Sequence, residues 1–319
     1  MSLPPPSISA ILVTWNRCDL LKAAIDSLVR QEYPRLEIVV VDNGSTDNTE
    51  GMLSGLPFPV RYLYNKGNLG ACVARNQGVL ASGGEMLLFM DSDAEILTEG
   101  ALMRLARELA GDPTCAGAAG IIYSDRLAEK VWCWSPCMDA EGFHDPKASV
   151  LPREDVKVLS TCFALFRSDL FIRLGGFDPF YFYLYEDADL SARILAEGRR
   201  LLIDPEIQIL HHYDEHGRTE RNPVQYHRYH ESLRLYYLLK IQGVRDWAAS
   251  VSKYLFHPDR TRARFPYLSW MNFLESYAVR PLWQLLTLPV MPKRRRYDWL
   301  AHTPPATRTD VLGGVSHGA

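Results

Sequence analysis

No run in this 319-residue sequence reaches the ~18 consecutive apolar residues that a membrane-spanning helix requires. No Gly-x-Gly-x-x-Gly turn follows a strand-like run, which disfavours a dinucleotide dehydrogenase. Charge of one sign is not in excess: 35 Lys and Arg against 38 Asp and Glu leave a net charge of −3, which argues against a nucleic-acid binder. Cysteine is sparse, with six residues at 18, 72, 115, 133, 137 and 162. Only Cys133 and Cys137 lie close together, and that spacing lacks the second pair of a zinc motif. Residues 1–6 have neither a charged n-region nor an apolar h-region, so no secretory signal is expected. The cysteines are therefore read as reduced thiols of a cytoplasmic protein. There is no internal repeat. The 47% hydrophobic content is ample for the core of one large α/β domain with an appendage, or for two domains.

The most informative stretch is the apolar run 86–90, which stops at Asp91-Ser92-Asp93. Such a continuous run suits a strand buried on both faces of a sheet. Ligands of open α/β sheets bind beyond the carboxyl ends of strands, where Asp91 and Asp93 would sit. Residues i and i+2 point the same way on a strand, so both carboxylates can face one ligand or a divalent cation. A solvated turn after a strand is the alternative.

Residues 8–13 read as a first buried strand ending at Thr14-Trp15-Asn16-Arg17, with Asp19 as the N-cap of a following helix. Residues 36–41 form a second strand, stopping at Asp42-Asn43-Gly44-Ser45-Thr46-Asp47. Strand, helix, strand with short connections predicts a parallel βαβ unit. Residues 60–64 are a third strand, followed by Asn65-Lys66-Gly67-Asn68-Leu69-Gly70 and a helix over 71–80 that carries Arg75 and Asn76. A Gly-rich turn into a helix binds anions through free backbone N–H groups, and Arg75 adds a fork matching phosphate; Asn and Gly serve ordinary turns equally well. A helix over 99–110 and a strand over 115–123 come next.

Residues 124–157 are irregular and hold Trp132 and Trp134, either facing a ligand or packed on the core. Residues 158–166 return to the sheet. Glu186, Asp187 and Asp189 then open a helix, directly after the aromatic stretch 180–185. Acidic residues favour a helix N-terminus, yet neighbouring aromatics also exclude water and raise a carboxylate towards the pKa of a useful base. Strands over 201–203 and 207–210 lead to His211, read as either a packing residue or a metal ligand. From about residue 220 the chain turns helical and aromatic. The stretch 270–291 with the basic cluster 293–296 is either a helix packed on the main domain or one lying on an anionic membrane surface.

Thr14-Trp15-Asn16-Arg17, Asp42 to Asp47, Asn68-x-Gly70 with Arg75-Asn76, Asp91-Ser92-Asp93, and Gly175-Gly176-Phe177-Asp178 through Leu190 occur in this order. Together they resemble the family 2 glycosyltransferases over approximately residues 7–215, and within that family the rhamnosyltransferase-like branch. The resemblance implies a GT-A fold: an α/β, Rossmann-like, mostly parallel central sheet flanked by helices. The glycosyltransferase domain is expected over 1–218; beyond it, composition predicts a helical C-terminal extension over 219–301 and a disordered tail, rich in Pro, Thr, Gly and Ser, over 302–319. The activity implied is inverting transfer of a sugar from a UDP- or dTDP-linked donor to the hydroxyl of a glycan or lipid-linked acceptor, in cell-surface polysaccharide or glycolipid assembly.

By the same resemblance, Asp42 holds the base, Thr14, Asn16 and Arg17 line the nucleotide pocket, and Asn68 and Arg75 lie on the donor side. Asp91 meets the ribose with Ser92 beside it. Asp93 holds Mg²⁺ or Mn²⁺, with Asp91 and His211 as further ligands. Asp187 is the general base, with Glu186 and Asp189 supporting the site or the helix start; apart from the resemblance, Trp132 and Trp134, whose aromatic faces suit sugar rings, are candidates for the acceptor side together with Asp189. Asn43 departs from the commoner Asp-Asp-Gly-Ser pattern. Two rival readings are a nucleotidyltransferase making a nucleotide-sugar and a catalytically silent sugar-nucleotide-binding scaffold. The first would want a Gly-rich basic loop after the first strand, which Thr14-Trp15-Asn16-Arg17 is not. Intact Asp91, Asp93 and Asp187 speak against the second. Oligomeric state is not legible, and peripheral membrane contact through the C-terminal region is an expectation.

Overall fold

The apolar runs become the inner strands of a mixed sheet. The computed structural model describes residues 4–124, 131–133, 156–212, 223–256 and 298–314. In chain order, β1 (Ile8–Thr14), α1 (Cys18–Val29), β2 (Leu36–Asp42), α2 (Thr49–Ser54), β3 (Val60–Tyr64), α3 (Ala71–Leu80) and β4 (Met86–Asp91) form the first half. Then come β5 (Ala94–Ile96), α4 (Ala101–Gly111), β6 (Cys115–Tyr123), β7 (Val131–Cys133), β8 (Phe163–Arg167), α5 (Ser168–Arg173), α6 (Glu186–Ala196) and β9 (Arg200–His211). Helices α7 (Pro223–Tyr237) and α8 (Val244–Phe256) precede the last strand, β10 (Arg308–Leu312).

The strand order is β10-β3-β2-β1-β4-β8-β6-β9-β5, with β7 paired to β6. β3, β2, β1 and β4 run parallel, as the βαβ pattern requires. Beyond β4 the directions are mixed: β8 is antiparallel to both β4 and β6, β9 is parallel to β6, and β5 is antiparallel to β9. The sheet is thus α/β but mixed rather than mostly parallel. The expected strand over 158–166 starts only at Phe163. The two strands expected around Asp204-Pro205 are one, β9, whose register against β6 shifts between Gly120 and Ile121 and accommodates the proline. Asp19 lies in the first turn of α1 rather than at its cap, where Arg17 stands.

The residues expected as a disordered tail form an edge strand. β10 pairs antiparallel with β3, and the Gly314 N–H bonds the Leu56 carbonyl at 3.0 Å. Ahead of it, the Leu300 N–H bonds the Gly175 carbonyl at 3.0 Å and the Trp299 ring lies under the Arg193 guanidinium at 4.9 Å. Residues 315–319 lie outside the described residues.

Two contacts carry the core to the site. Phe89 on β4 meets Phe171 and Phe177 with ring centroids 5.2 and 4.9 Å away, each pair adding about 0.5–1.5 kcal/mol beyond burial. Asn76 on α3 then clamps the Phe177 backbone, its Nδ2 donating to the carbonyl and its Oδ1 accepting from the N–H, both at 2.9 Å. The 175–178 turn is thereby fixed over the middle of the sheet.

The described residues form two compact units, α7 and α8 making the second. Within that unit the fully buried Arg234 pairs with Glu231 at 2.9 Å and donates to Ser250 Oγ at 3.0 Å. No described helix is long and apolar enough to cross a membrane.

Candidate active site

The parallel strands end together. Thr14 is level with Asp42 across β1 and β2, and Val13 is level with Asp91 across β1 and β4. Asp42 is 1% exposed and held at both oxygens: Oδ1 accepts from the Ser45 N–H at 2.7 Å and Oδ2 from the Tyr62 hydroxyl at 2.8 Å. Burial, followed by that hydrogen bond, raises the Tyr62 pKa, so the phenol stays a donor. Asn16, in the left-handed region at φ +52°, accepts from the Thr46 N–H at 2.7 Å while its own N–H bonds Ser45 Oγ at 2.9 Å. The two strand-end turns are thus tied into one wall. Thr14 Oγ1 is buried with no hydrogen-bond partner among the described residues, a polar group suited to a ligand.

Asn43 shows why the amide replaces the commoner acid. Its Nδ2 donates to Asn68 Oδ1 and the Gly70 carbonyl at 3.4 and 3.3 Å, while its Oδ1 accepts from Asn65 Nδ2 at 3.1 Å. Asn65 in turn bonds Gln77, whose Nε2 also reaches the Pro304 carbonyl at 2.9 Å. A carboxylate at 43 would lose both donors and bury a charge against two acceptors. Asn68 also caps the turn by accepting from the Gly70 N–H at 2.9 Å.

The Asp91-Ser92-Asp93 turn carries the densest electrostatics. Arg75, buried on α3, donates to Asp91 Oδ1 and Glu186 Oε1, both at 2.8 Å. Both arms of the fork expected for phosphate are therefore used by carboxylates. Arg17 forms an ion pair with Asp93 Oδ2. The β5–β9 register sets His211 opposite Ala94, so that His211 Nε2 lies 3.4 Å from Asp93 Oδ1 and 4.0 Å from Asp91 Oδ2. Ser92 is buried between the two acids. Next to this set, Glu95 and His212 Nε2 pair at 2.5 Å.

Glu186 and Asp187 sit in the first turn of α6, preceded by Tyr185 in the left-handed region at φ +69°. Strained backbone of this kind costs about 1–3 kcal/mol and concentrates at functional sites. Burial is the main cause that lifts Glu186 to about 7, opposed by Arg75 and reinforced by Asp187. Burial likewise lifts Asp187 to about 6, and the Asp91 charge contributes in the same direction. Asp189 does not join them. It is fully buried, with Oδ2 paired to Arg193 Nε at 2.9 Å and Oδ1 accepting from the Tyr181 hydroxyl at 3.3 Å, so it braces α6 and is not available to an acceptor. Trp134 and the Trp132 side chain lie outside the described residues.

Several members of this set are not singled out by the sequence: Tyr62, Asn65, Gln77 and Glu95. Tyr62 lies on β3 two residues before Tyr64, the register partner of Asp42.

Comparison with known proteins fits this geometry. The sequence model described as glycosyl transferase family 2 matches residues 9–175. The O-antigen biosynthesis protein RfbC of Myxococcus xanthus is 25% identical over 236 residues, 68% of this chain and 18% of that protein. A GalNAc(5)-diNAcBac-PP-undecaprenol beta-1,3-glucosyltransferase of Campylobacter jejuni is 35% identical over 107 residues, 32% of this chain and 34% of its own length. The matched stretches thus span about a third or less of these relatives. Among solved structures, the mannosyltransferase PcManGT of Pyrobaculum calidifontis, in complex with GDP-Man and Mn²⁺, superposes with a TM-score of 0.55 at 20% identity over 88% of both chains. That likeness shows the GT-A fold.

Proposed function

The chain belongs to glycosyl transferase family 2, and on that premise we propose that it is an inverting, metal-dependent enzyme moving a sugar from a nucleotide diphosphate to an acceptor hydroxyl. Membership of the family sets the nucleotidyltransferase reading aside. The observation that carries the proposal is the Arg75 bridge. It joins Asp91, at the strand ends where a nucleotide would bind, to Glu186, the neighbour of a carboxylate raised into the range of a working base.

Thr14, Asn16, Arg17 and Asp42 would receive the base, with Asn68 on the donor side and Asp91 and Ser92 at the ribose. Asp93, Asp91 and His211 would hold Mg²⁺ or Mn²⁺. Ligands on one ion with bonds of about 2.1 Å lie about 3–4 Å apart, and the Asp93–His211 and Asp91–His211 pairs at 3.4 and 4.0 Å each fit that spacing, although the three together do not form a group with every separation within 4.8 Å. When bound, the cation would neutralise charge growing on the departing diphosphate. Asp187 would take the proton of the acceptor hydroxyl as its oxygen bonds the anomeric carbon and the bond from that carbon to the diphosphate breaks. Attack from the face opposite the leaving group inverts the configuration. Glu186, tied to Arg75, would fix the first turn of α6 and so the position of Asp187.

A soluble nucleotide sugar as donor is compatible with a reaction in the cytoplasm. The names of relatives in O-antigen biosynthesis and undecaprenol-linked glycan assembly support an acceptor that is a glycan or lipid-linked glycan. Contact with the membrane would then run through the basic cluster 293–296, which lies outside the described residues. Calorimetric titration with UDP- and dTDP-sugars, dTDP-rhamnose first, in Mg²⁺ or Mn²⁺ and again with EDTA, tests the proposal. Metal-dependent binding of one donor supports it. Absence of binding to every donor would leave the silent scaffold as the better reading.

A further inference from the structure

Cys162 lies one residue before β8, where the register pairs Phe163 with Met90 and so sets Cys162 across from Asp91. Its backbone is fixed there: the Asp91 N–H donates to its carbonyl at 2.9 Å, and its own N–H donates to Ser160 Oγ at 3.3 Å. Its sulfur, an Asp91 carboxylate oxygen and a His211 ring nitrogen all lie within 4.8 Å of one another. Among the described residues this is the only group of three ligand-type side chains so placed. A buried cysteine is ordinarily a small hydrophobe packed among apolar atoms. This one, 3% exposed, packs with the hydrophobic core and also has a carboxylate and an imidazole within 4.8 Å of its sulfur.

We propose that Cys162 is a protein ligand of the cation at the Asp91–His211 side of the site, with Asp93 next to it on His211, giving a site of mixed oxygen, nitrogen and sulfur donors. The proposal rests on the metal reading above. The three donors come from the ends of three strands of one sheet, β4, β8 and β9, so the frame is rigid and only side-chain torsions need adjust. Ligands of a four-coordinate ion with bonds of about 2.0–2.3 Å stand about 3.3–3.8 Å apart, so closure asks for a shift of about 1 Å from the widest separation allowed here. On binding, the thiol proton leaves to solvent and the sulfur coordinates as thiolate. A thiolate in an otherwise hard site raises affinity for Co²⁺, Zn²⁺ and Cd²⁺ relative to Mg²⁺ and Mn²⁺. The choice of metal, and sensitivity to Cd²⁺, would then be set by a residue that the sugar chemistry itself does not require.

The test is Co²⁺ titration of the full chain followed by electronic absorption, with Cys162→Ser and Cys162→Ala alongside. The wild type should show a thiolate-to-cobalt charge-transfer band in the near ultraviolet together with visible ligand-field bands. Both variants should lose the first band and keep the second, and their Cd²⁺ affinity relative to Mn²⁺ should fall at least tenfold. Ligand-field bands without the charge-transfer band in the wild type would overturn the role of Cys162 and leave the metal reading standing. A charge-transfer band that persists in both variants would assign it to another cysteine, with the same consequence. Absence of any Co²⁺ spectrum, with no heat on Mn²⁺ titration, would overturn both.

Discussion

Arg75 and Glu186 are 111 residues apart in sequence and 2.8 Å apart in space. The same guanidinium holds Asp91, and burial, which alone would disfavour its charge, is outweighed by these two carboxylates. One residue on α3 therefore fixes the relation between the end of β4 and the start of α6.

Removing that bridge leaves two carboxylates around an empty space. Breaking a buried pair costs about 3–5 kcal/mol, so Arg75→Met should lower the thermal midpoint strongly and reduce transfer. Arg75→Lys should recover little of either, because an ammonium cannot reach two acids with a planar fork. Calorimetric unfolding of the three proteins checks this. Equal midpoints would show that the bridge is structurally idle.

Asp187→Asn keeps the size and the first turn of α6 but cannot accept a proton. Transfer should fall about 10²–10⁴-fold while the donor dissociation constant changes little. Parallel loss of donor affinity would remove Asp187 from the role of base.

The pH dependence follows from the raised carboxylate. A base held at about 6 is charged only above that value, so kcat should fall as the pH drops through about 6, where an ordinary aspartate would remain active. The linked effect on stability has a definite sign. Because folding raises this pKa, the favourable contribution of the protonated group is complete below its unfolded value of about 4 and is lost as the pH rises through about 6. Wild type should therefore lose thermal midpoint relative to Asp187→Asn across that window. A constant difference would contradict the raised value.

Gly176 has φ +85°, and a Cβ there would sit 2.8 Å from both Asn76 Oδ1 and Leu300 Cγ. Gly176→Ala should destabilise by about 1–3 kcal/mol through strain alone. It should also disturb the Asn76 clamp on Phe177, and with it kcat. Denaturant unfolding measures the first and a transfer assay the second.

Much of the site was legible because buried parallel strands write themselves as apolar runs, and the residues that stop those runs mark one rim of the sheet. Asp42, Asp91 and Asp93 follow from that alone. The edge strand β10 was illegible for the complementary reason. It is largely exposed and carries no alternation of apolar and polar residues, so only its backbone bonds to β3 define it. Three acids in one helical turn look alike in sequence, whereas the Arg193 partner that holds Asp189 shows only in space. The sequence neighbours of Arg75 suggest an anion, and the anions its guanidinium meets are the protein's own Asp91 and Glu186.

The chain leaves the sheet after His211 and comes back to it at β10, a strand that completes the edge beside β3. The α7–α8 segment is therefore an insertion within the catalytic unit's own covalent path, anchored at both ends. A protein cut at residue 218 would not be a trimmed enzyme. It would lack one strand of its sheet, the Trp299–Arg193 stack and the Pro304 end of the amide chain behind Asn43, and an independent catalytic fragment would have to splice residues 298–314 back on.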